Sequence, residues 1–331
     1  MAPAHGHDGD VRAAVDLGTA AAAQAPAGCK VLWFGEGPLD LPAAALTLCA
    51  ERRRDRPVIR TYDRATDTIA TWWTPPSGTA NGVALLLDGR LAVCLRDRKS
   101  VVALDPVGPA APPGTLIDNY RGRRFNAPTD LVADAGGGLY FADPPLGPNE
   151  STWALAWSGA YVLRAGGDGR TVELLDATLP LPDGVGLLSD GGAVVGNSRP
   201  ASWTVFRRTR ASRRPGHAPA SPRWAKQPVA SPPLDALLPH VTPVLPPAAR
   251  GGVDGLAVDG GRVYASGYEG LHVMVPDAGG GAGWDVRCIL PLPPNVPTYT
   301  SVAVAPCGTC GRTRCLWLTA PKALYRLHLA D

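Results

Sequence analysis

Short apolar runs alternate with glycine-rich turns along most of the chain. Residues 120–147 show the unit most clearly: polar positions at 126–130, an apolar run at 131–133, a glycine-rich turn and a second apolar run at 139–142. Apolar runs of this length, bounded by Gly, Asn, Asp and Pro, are typical of short β-strands joined by tight turns. The pattern therefore predicts an all-β fold.

The same unit occurs six times, and each copy opens on a polar residue where its first strand begins. These residues lie about 45 to 71 positions apart and are Glu36, Asn81, Thr129, Asp183, Asp254 and Ser301. Repeats of this length are typical of propellers and other repeat arrays. We expect a six-bladed β-propeller, with four-stranded antiparallel blades around a central channel. A strand at 29–34 could complete the last blade and close the ring, which removes exposed strand edges.

Three regions follow from composition along the chain. Residues 1–28 are rich in Ala, Gly and His without periodicity, which predicts a disordered tail. The propeller is expected over 29–331, interrupted at 207–250 by an irregular insertion rich in Pro and Arg. Its arginines could contact an acidic partner, but a solvated loop is the favoured interpretation because short basic runs are weak signals.

Charge and cysteine content exclude several classes of protein. A formal charge of +3 over 331 residues gives no reason to expect nucleic acid or a membrane surface as partner. Seven scattered cysteines, an odd number, do not suggest a disulfide framework, so a reducing compartment is expected. We see no secretory signal or membrane-spanning run and expect a cytoplasmic protein. The sequence leaves the oligomeric state open.

In a propeller, the first strand of each blade lines the channel, so the six opening residues should meet at one channel mouth. Carboxylates that face one another raise each other's pKa unless a cation lies between them. Carboxylate and amide oxygens without Cys or His favour Ca²⁺, with Mg²⁺, Mn²⁺ or Zn²⁺ as alternatives. Taken alone, each of these residues is better explained as a turn residue than as a metal ligand. Six at equivalent positions favour a site that holds one divalent cation.

Other motifs are weaker. Cys307 and Cys310 with Cys315 resemble a zinc knuckle but lack a fourth ligand, so a loop insertion is the favoured interpretation. His272 and His328 alternate within strands, which favours solvated or core roles. The chain contains no Gly-x-Ser-x-Gly elbow, phosphate-binding glycine loop or His-Glu-x-x-His motif. Their absence disfavours a serine hydrolase, a nucleotide enzyme and a zincin.

Several motifs, in order and spacing, resemble one family over about residues 31–329. They are Glu36-Gly37-Pro38, Asn81-Gly82, Asp88-Gly89-Arg90-Leu91 with Cys94, Arg124-Phe125-Asn126-x-Pro128-x-Asp130, Tyr140-Phe141-x-Asp143-Pro144-Pro145, Asp254-Gly255-Leu256 and Leu324-Tyr325-Arg326-Leu327. The chain resembles the gluconolactonase, senescence-marker-protein (regucalcin) and luciferin-regenerating-enzyme family of six-bladed propellers.

The resemblance implies a divalent metal, commonly calcium, and hydrolysis of a lactone ring. It implies metal ligands at Glu36, Asp183 and Asp254, with Asp254 also the general base. It implies substrate binding by a further set of polar residues, namely Asn81, Asn126, Thr129 and Ser301. The chain departs from the family where Thr129, Asp183 and Ser301 replace Asn, and where Cys94-Leu95-Arg96 replaces Cys-Glu-His.

Two hypotheses remain open. The first is a metal-dependent lactonase opening a sugar-type lactone, or a related ester or phosphoester hydrolase, since the propeller also resembles diisopropyl fluorophosphatase. The second is a non-catalytic propeller that binds a metal or a partner through an altered site. A metal-free propeller similar to strictosidine synthase is disfavoured because Glu36, Asp183 and Asp254 would then place uncompensated charges together.

Overall fold

All regular structure in the described part of the chain is β-strand. The computed structural model describes residues 35–41, 46–51, 57–63, 66, 68–105, 112–146, 155–166, 169–209, 224–229, 253–259, 261–268, 270–276, 283–291, 298–305, 314–320 and 323–329. The proposed tail at 1–28 and the strand at 29–34 lie outside these residues. None of the described residues forms a helix long and apolar enough to cross a membrane.

The strands form six antiparallel sheets of consecutive strands. The first two sheets contain β1 (Gly35–Leu41), β2 (Leu46–Glu51), β3 (Val58–Asp63), β4 (Thr68–Trp73), β5 (Ala80–Leu85), β6 (Leu91–Leu95), β7 (Ser100–Leu104) and β8 (Gly114–Ile117). A two-stranded ribbon follows, with β9 (Asn119–Tyr120) and β10 (Arg123–Arg124). The third and fourth contain β11 (Leu131–Ala133), β12 (Leu139–Asp143), β13 (Gly159–Gly166), β14 (Gly169–Asp176), β15 (Pro182–Leu187), β16 (Ala193–Ser198), β17 (Ala201–Arg208) and β18 (Trp224–Pro228). The last two contain β19 (Val253–Asp259), β20 (Arg262–Gly267), β21 (Gly270–Pro276), β22 (Trp284–Pro291), β23 (Ser301–Ala305), β24 (Cys315–Ala320) and β25 (Ala323–His328).

The predicted antiparallel four-stranded sheets are confirmed for five of the six, and the sixth has three described strands. The fourth sheet differs from the prediction in one respect. Arg207 and Arg208, assigned to an irregular insertion, end β17, and β18 lies inside the same insertion. Because β18 pairs with β17 and is mostly exposed or half-buried, it lacks the apolar alternation that identifies a strand from sequence.

Apolar side chains pack between consecutive sheets. Side chains on the two faces of a strand pack against different neighbouring sheets. In β16, Val195 belongs to the cluster between the third and fourth sheets, whereas Val194 belongs to the cluster between the fourth and fifth. Five such clusters join the six sheets in order. Tyr62 of the first sheet then meets Trp317 of the last, with ring centroids 5.5 Å apart. Burial on both faces explains why the strands read as continuous apolar runs.

Four of the six first strands carry a β-bulge at the same place. In each of β5, β15 and β19, two consecutive residues lie opposite a single residue of the next strand. These pairs are Asn81-Gly82, Asp183-Gly184 and Asp254-Gly255. The bulge in β1 falls on Gly37-Pro38. The strand register thus places Glu36 one position earlier than the other opening residues. A bulge re-aims side chains and is common beside functional sites.

The glycines in these bulges allow neighbouring first strands to approach closely. A Cβ added at Gly82 would lie 2.8 Å from the Thr129 carbonyl oxygen. At Gly184 an added Cβ would overlap the Asp254 carbonyl oxygen, and at Gly255 it would overlap the Ser301 hydroxyl. The first strands contact one another in chain order, and β1 contacts both β5 and β23.

We expect Gly184→Ala to lower the free energy of unfolding by about 1–3 kcal/mol, because the added methyl group overlaps backbone that cannot rotate away. Gly114→Ala is the matched control, since a Cβ there meets no atom within 4 Å. Its effect should be within about 0.5 kcal/mol. Equal losses for the two variants, measured by denaturant unfolding, would show that the close approach is not a constraint.

The expected core role of His272 is confirmed, and it generates a pH dependence. His272 is buried, its ring centroid lies 5.0 Å from that of Trp203, and burial lowers its pKa from 6.5 to about 4. Between these values the unfolded chain binds a proton that the folded chain does not, so stability falls with acidification from pH 6.5 to 4. The loss from this residue should approach about 3 kcal/mol.

His272→Gln cannot titrate, so the free energy of unfolding of the parent protein, taken relative to that of the variant, should fall between pH 6.5 and 4. The comparison is made by urea unfolding at several pH values, and it concerns the slope with pH rather than absolute stability. Parallel curves for the two proteins would contradict the buried neutral state of His272.

Candidate functional site

Backbone contacts bring five of the six opening residues together. The Gly82 amide, next to Asn81, donates to the Thr129 carbonyl at 2.7 Å. Gly184, next to Asp183, lies against the Asp254 carbonyl oxygen, and the Gly255 amide donates to the Thr300 carbonyl at 3.3 Å. The residues joined in this way are Asn81, Thr129, Asp183, Asp254 and Ser301. Their predicted convergence at one end of the sheets is therefore observed in the backbone.

Glu36 lies in β1, which contacts the first strands of the second and sixth sheets. Its backbone thus occupies the remaining sector between Asn81 and Ser301. The side chains of β1 lie outside the description, so the direction of the Glu36 carboxylate stays a prediction.

Asp183 and Asp254 are half-buried carboxylate residues on adjacent bulges. The Ser198 hydroxyl lies within hydrogen-bonding distance of Asp183 Oδ2, at 3.1 Å, and of the Val253 carbonyl oxygen. A hydroxyl has one proton and therefore donates to only one of these acceptors at a time. Ser198 thus links the Asp183 bulge to the strand that carries Asp254.

Asp130 is a residue that the sequence analysis did not assign to the site. Its Oδ2 atom accepts a 3.0 Å hydrogen bond from the Val185 amide of the next sheet, and its Oδ1 atom lies where a Cβ at Gly82 would intrude. Burial, together with the nearby charge of Asp183, raises the pKa of Asp130 to about 7, although the hydrogen bond from the Val185 amide acts in the opposite direction. The Asn126-x-Pro128-x-Asp130 motif contained this residue, but its contacts with two other sheets could not be derived from spacing alone.

Three predicted substrate-binding residues are buried where the first strands meet: Asn81, Thr129 and Ser301. The Thr129 hydroxyl has no hydrogen-bond partner among the described residues. A buried hydroxyl without a partner costs free energy. A ligand that forms a hydrogen bond with it, or a cation that its oxygen coordinates, would therefore stabilise the site.

Asn126 contacts its own sheet. Its Nδ2 atom donates to the Trp157 carbonyl at 2.9 Å, and its Oδ1 atom accepts from the Leu155 amide at 3.3 Å. The buried Asp143 carboxylate accepts from the Asn126 and Ala127 amides at 2.9 and 2.7 Å, while burial raises the pKa of Asp143 to about 7. Among the described residues, these side-chain bonds use one amide proton and one lone pair of Asn126.

A cavity of about 260 Å³ lies among the first strands and is lined by both Asp130 and Ser301. Its other lining residues are Gly186 and aliphatic side chains of β5, β11, β15, β19 and β23. An apolar environment strengthens electrostatic interactions with any charge that forms beside it. The polar residues thus lie at the edge of a low-dielectric space.

The donor set fits a hard cation. Asp183 and Asp254 supply carboxylates on adjacent strands, and Thr129 supplies a buried hydroxyl without a described partner. Oxygen donors of this kind suit Ca²⁺. In the described part of the chain, no group of three or more His, Cys, Asp or Glu side chains is arranged to hold a metal. The third predicted carboxylate, that of Glu36, lies outside the described side chains.

The described cysteines do not supply an alternative centre. Cys94 is a free, buried thiol whose pKa is raised above its ordinary value by burial, so it is not a reactive thiolate. Cys315 is disulfide-bonded, a bond that the sequence analysis did not predict. A disulfide sulfur is not a thiolate ligand, so Cys315 does not complete a zinc knuckle. Cys307 and Cys310 lie outside the described residues.

No protein-family model matches the chain. A curated gluconolactonase from Zymomonas mobilis is 32% identical over 132 residues, which are 38% of this chain and 36% of the relative. The matched region therefore spans about a third of the length of that relative.

Solved structures with the same fold cover most of the chain. A gluconolactonase from Xanthomonas campestris superposes with a TM-score of 0.65 at 21% identity, covering 90% of this chain and 87% of the other. Regucalcin from Agrobacterium tumefaciens, a calcium-binding protein, superposes with a TM-score of 0.57 at 14% identity, covering 90% of both chains. The chain shares this fold and, over part of its length, is similar in sequence to a gluconolactonase. The resemblance predicted from its motifs is therefore confirmed.

Proposed function

We propose that the six sheets are the blades of a propeller and that the protein is a divalent-metal-dependent lactonase. The observation that carries this proposal is the pair of adjacent bulges that place Asp183 and Asp254 side by side, next to the buried Thr129 and Ser301. The gluconolactonase relative and neighbours support a sugar-type lactone as substrate.

Glu36, Asp183 and Asp254 would hold the cation, most readily Ca²⁺, as the calcium-binding regucalcin neighbour also suggests. When bound, such an ion acts as a Lewis acid towards a carbonyl oxygen and offsets the repulsion among the carboxylates. Ser198 and Asp130 position this set, because Ser198 reaches Asp183 and Asp130 fixes the amide that follows the Asp183-Gly184 bulge.

Asp254 is the proposed general base. Its carboxylate takes the proton from the attacking water as the new C–O bond forms. The ring C–O bond of the lactone then breaks, and the departing ring oxygen receives that proton from Asp254 to give a hydroxy acid. Asn81, Thr129 and Ser301 orient the oxygens of the substrate, and Asn126 contributes the hydrogen-bonding capacity that Trp157 and Leu155 leave unused. The apolar cavity behind these residues keeps the local dielectric low, which strengthens their interaction with developing charge.

A non-catalytic propeller that binds a metal or partner is the alternative. The specific observation in its favour is Asn126, whose amide already bonds the chain segment at 155–157 of its own sheet. If the other polar residues are equally committed to structure, the site would bind an ion without turning over a substrate.

After divalent ions have been removed, adding Ca²⁺ should raise the melting temperature by several degrees above that of the ion-free protein. The reason is that a free Ca²⁺ concentration of 100 times Kd stabilises the folded state by about 2.7 kcal/mol. Asp183→Ala should lose this rise. Asp88→Asn is the matched control, because Asp88 is half-exposed and paired with Arg90 in the turn at the other end of the second sheet. A rise of the same size in Asp183→Ala would exclude this site, and no rise with any divalent ion would favour a metal-free protein.

Asp254→Asn should lower kcat for glucono-1,5-lactone by about 10²- to 10⁴-fold, since an amide retains an oxygen ligand but cannot accept the proton. The Ca²⁺-dependent rise in melting temperature should largely remain, which separates proton transfer from ion binding. Asp259→Asn, at the far end of β19, serves as the control for a charge removed from the same strand. Unchanged kcat in Asp254→Asn would remove Asp254 from the role of base.

A further inference from the structure

A second cavity, of about 580 Å³, has one acidic and three basic residues in the described part of its lining: Asp97, Arg98, Lys99 and Arg124. A volume of this size suits a small-molecule site. None of these residues belongs to the candidate site described above, so the cavity requires its own explanation.

The cavity lies at the same end of the sheets as the candidate site. The turn at 96–99 follows β6, whose last residue, Leu95, pairs with Ala80, and the Arg96 amide donates to the Thr79 carbonyl at 3.0 Å. Asn81 therefore lies beside this turn. Arg124 comes two residues before Asn126, and its guanidinium donates to the Arg98 carbonyl. The lining residues thus lie near both Asn81 and Asn126 along the backbone, although neither asparagine lines the cavity itself.

The described lining residues carry more positive than negative charge. The one carboxylate among them, Asp97, accepts a 2.6 Å hydrogen bond from the Thr79 hydroxyl, which fixes it on the second sheet. The positive charge of Lys99 partly offsets the effect of burial on the pKa of Asp143, the residue that holds the Asn126 amide. Lys99 is thus close enough to act electrostatically on the residue that holds Asn126.

Local backbone structure fixes two of the three cations. Lys99 has a φ angle of 55°, a left-handed conformation that is uncommon for a long side chain. The aliphatic stem of Arg98 packs on Gly78, where an added Cβ would lie 3.2 Å from Arg98 Cγ. Arg98 and Lys99 are each only partly exposed. Cations positioned in this way lose less conformational freedom when they bind an anion.

We propose that this cavity binds an anionic group of the substrate, so that the protein acts on lactones that carry a phosphate or a second carboxylate rather than on neutral sugar lactones. This inference rests on the proposed function for the lactone part of the molecule. Guanidinium groups bind phosphate and carboxylate through paired hydrogen bonds, and an ammonium group adds a point charge. The lactone ring would then lie over Asn81 and Asn126, with its charged arm among Arg98, Lys99 and Arg124.

The kinetic test compares kcat/KM for glucono-1,5-lactone, the same lactone bearing a 6-phosphate, and a glucarolactone with a free carboxylate. The parent protein should prefer at least one charged lactone by about tenfold or more, because each charge-assisted hydrogen bond contributes a factor of this order. In the double variant Arg98→Gln/Lys99→Gln this preference should fall by about tenfold. Arg90→Gln, an exposed arginine at the other end of the second sheet, should leave the preference unchanged.

A binding test separates this inference from the proposed function. Calorimetry compares glucose, glucose 6-phosphate and glucuronate, which share a carbon chain, differ in charge at C6 and are not lactones. Tighter binding of a charged ligand by the parent protein than by the double variant supports the cavity even if no lactone is hydrolysed, a result that would overturn only the lactonase proposal. The phosphate and carboxylate ligands show which anion is bound. Arg124→Gln provides a second variant if the double variant fails to fold.

Hydrolysis of all three lactones with equal kcat/KM, with no change in the double variant, would overturn the anion site and leave the lactonase proposal standing. Equal binding of glucose and its 6-phosphate, together with equally weak binding of glucuronate, would overturn the anion site as well.

Discussion

The close approach of neighbouring first strands at their bulged glycines is the constraint on which the rest of the structure depends. Gly82, Gly184 and Gly255 each lie where a Cβ would overlap the next strand, at Thr129, Asp254 and Ser301 respectively. Because the backbones touch there, the polar residue beside each glycine is brought near the polar residue of the next sheet. Apolar packing between the sheets supports this contact from outside, and it continues from the last sheet to the first through Tyr62 and Trp317.

That contact also gives the site its chemistry. Asp130, Asp183 and Asp254 are acidic residues of neighbouring sheets. Asp130 lines an apolar cavity, and its pKa is raised chiefly by burial and also by the Asp183 charge. Such an arrangement costs free energy unless a cation or protons offset the charge. The basic cavity at Arg98 and Lys99 lies at the same end of the second sheet, so charges of both signs border the place where a substrate would enter.

Local signals in the sequence were sufficient to predict the strands and the convergence of their opening residues. The glycine and Asx turns mark each hairpin, and burial on both faces produces the apolar runs, as in β6. Position-specific contacts were not predictable, because they depend on long-range packing. The one-residue offset of Glu36, the bond from Val185 to Asp130, and the contacts of Asn126 with Leu155 and Trp157 are all of this kind. The edge strand β18 was missed because it carries no apolar alternation, and its side-chain contacts, such as those of Lys226 with Asp176 and Trp224 with Tyr140, depend on tertiary packing.

The most direct test of this account is a crystal structure of the protein grown with Mn²⁺ or Ca²⁺, with the ion located by anomalous scattering. We expect one ion in the space enclosed by the first strands, bound by carboxylate oxygens of Glu36, Asp183 and Asp254 at about 2.2–2.6 Å. An ion bound elsewhere, or these three carboxylates directed away from one another with no ion between them, would contradict the claim that the bulged strands build a metal site.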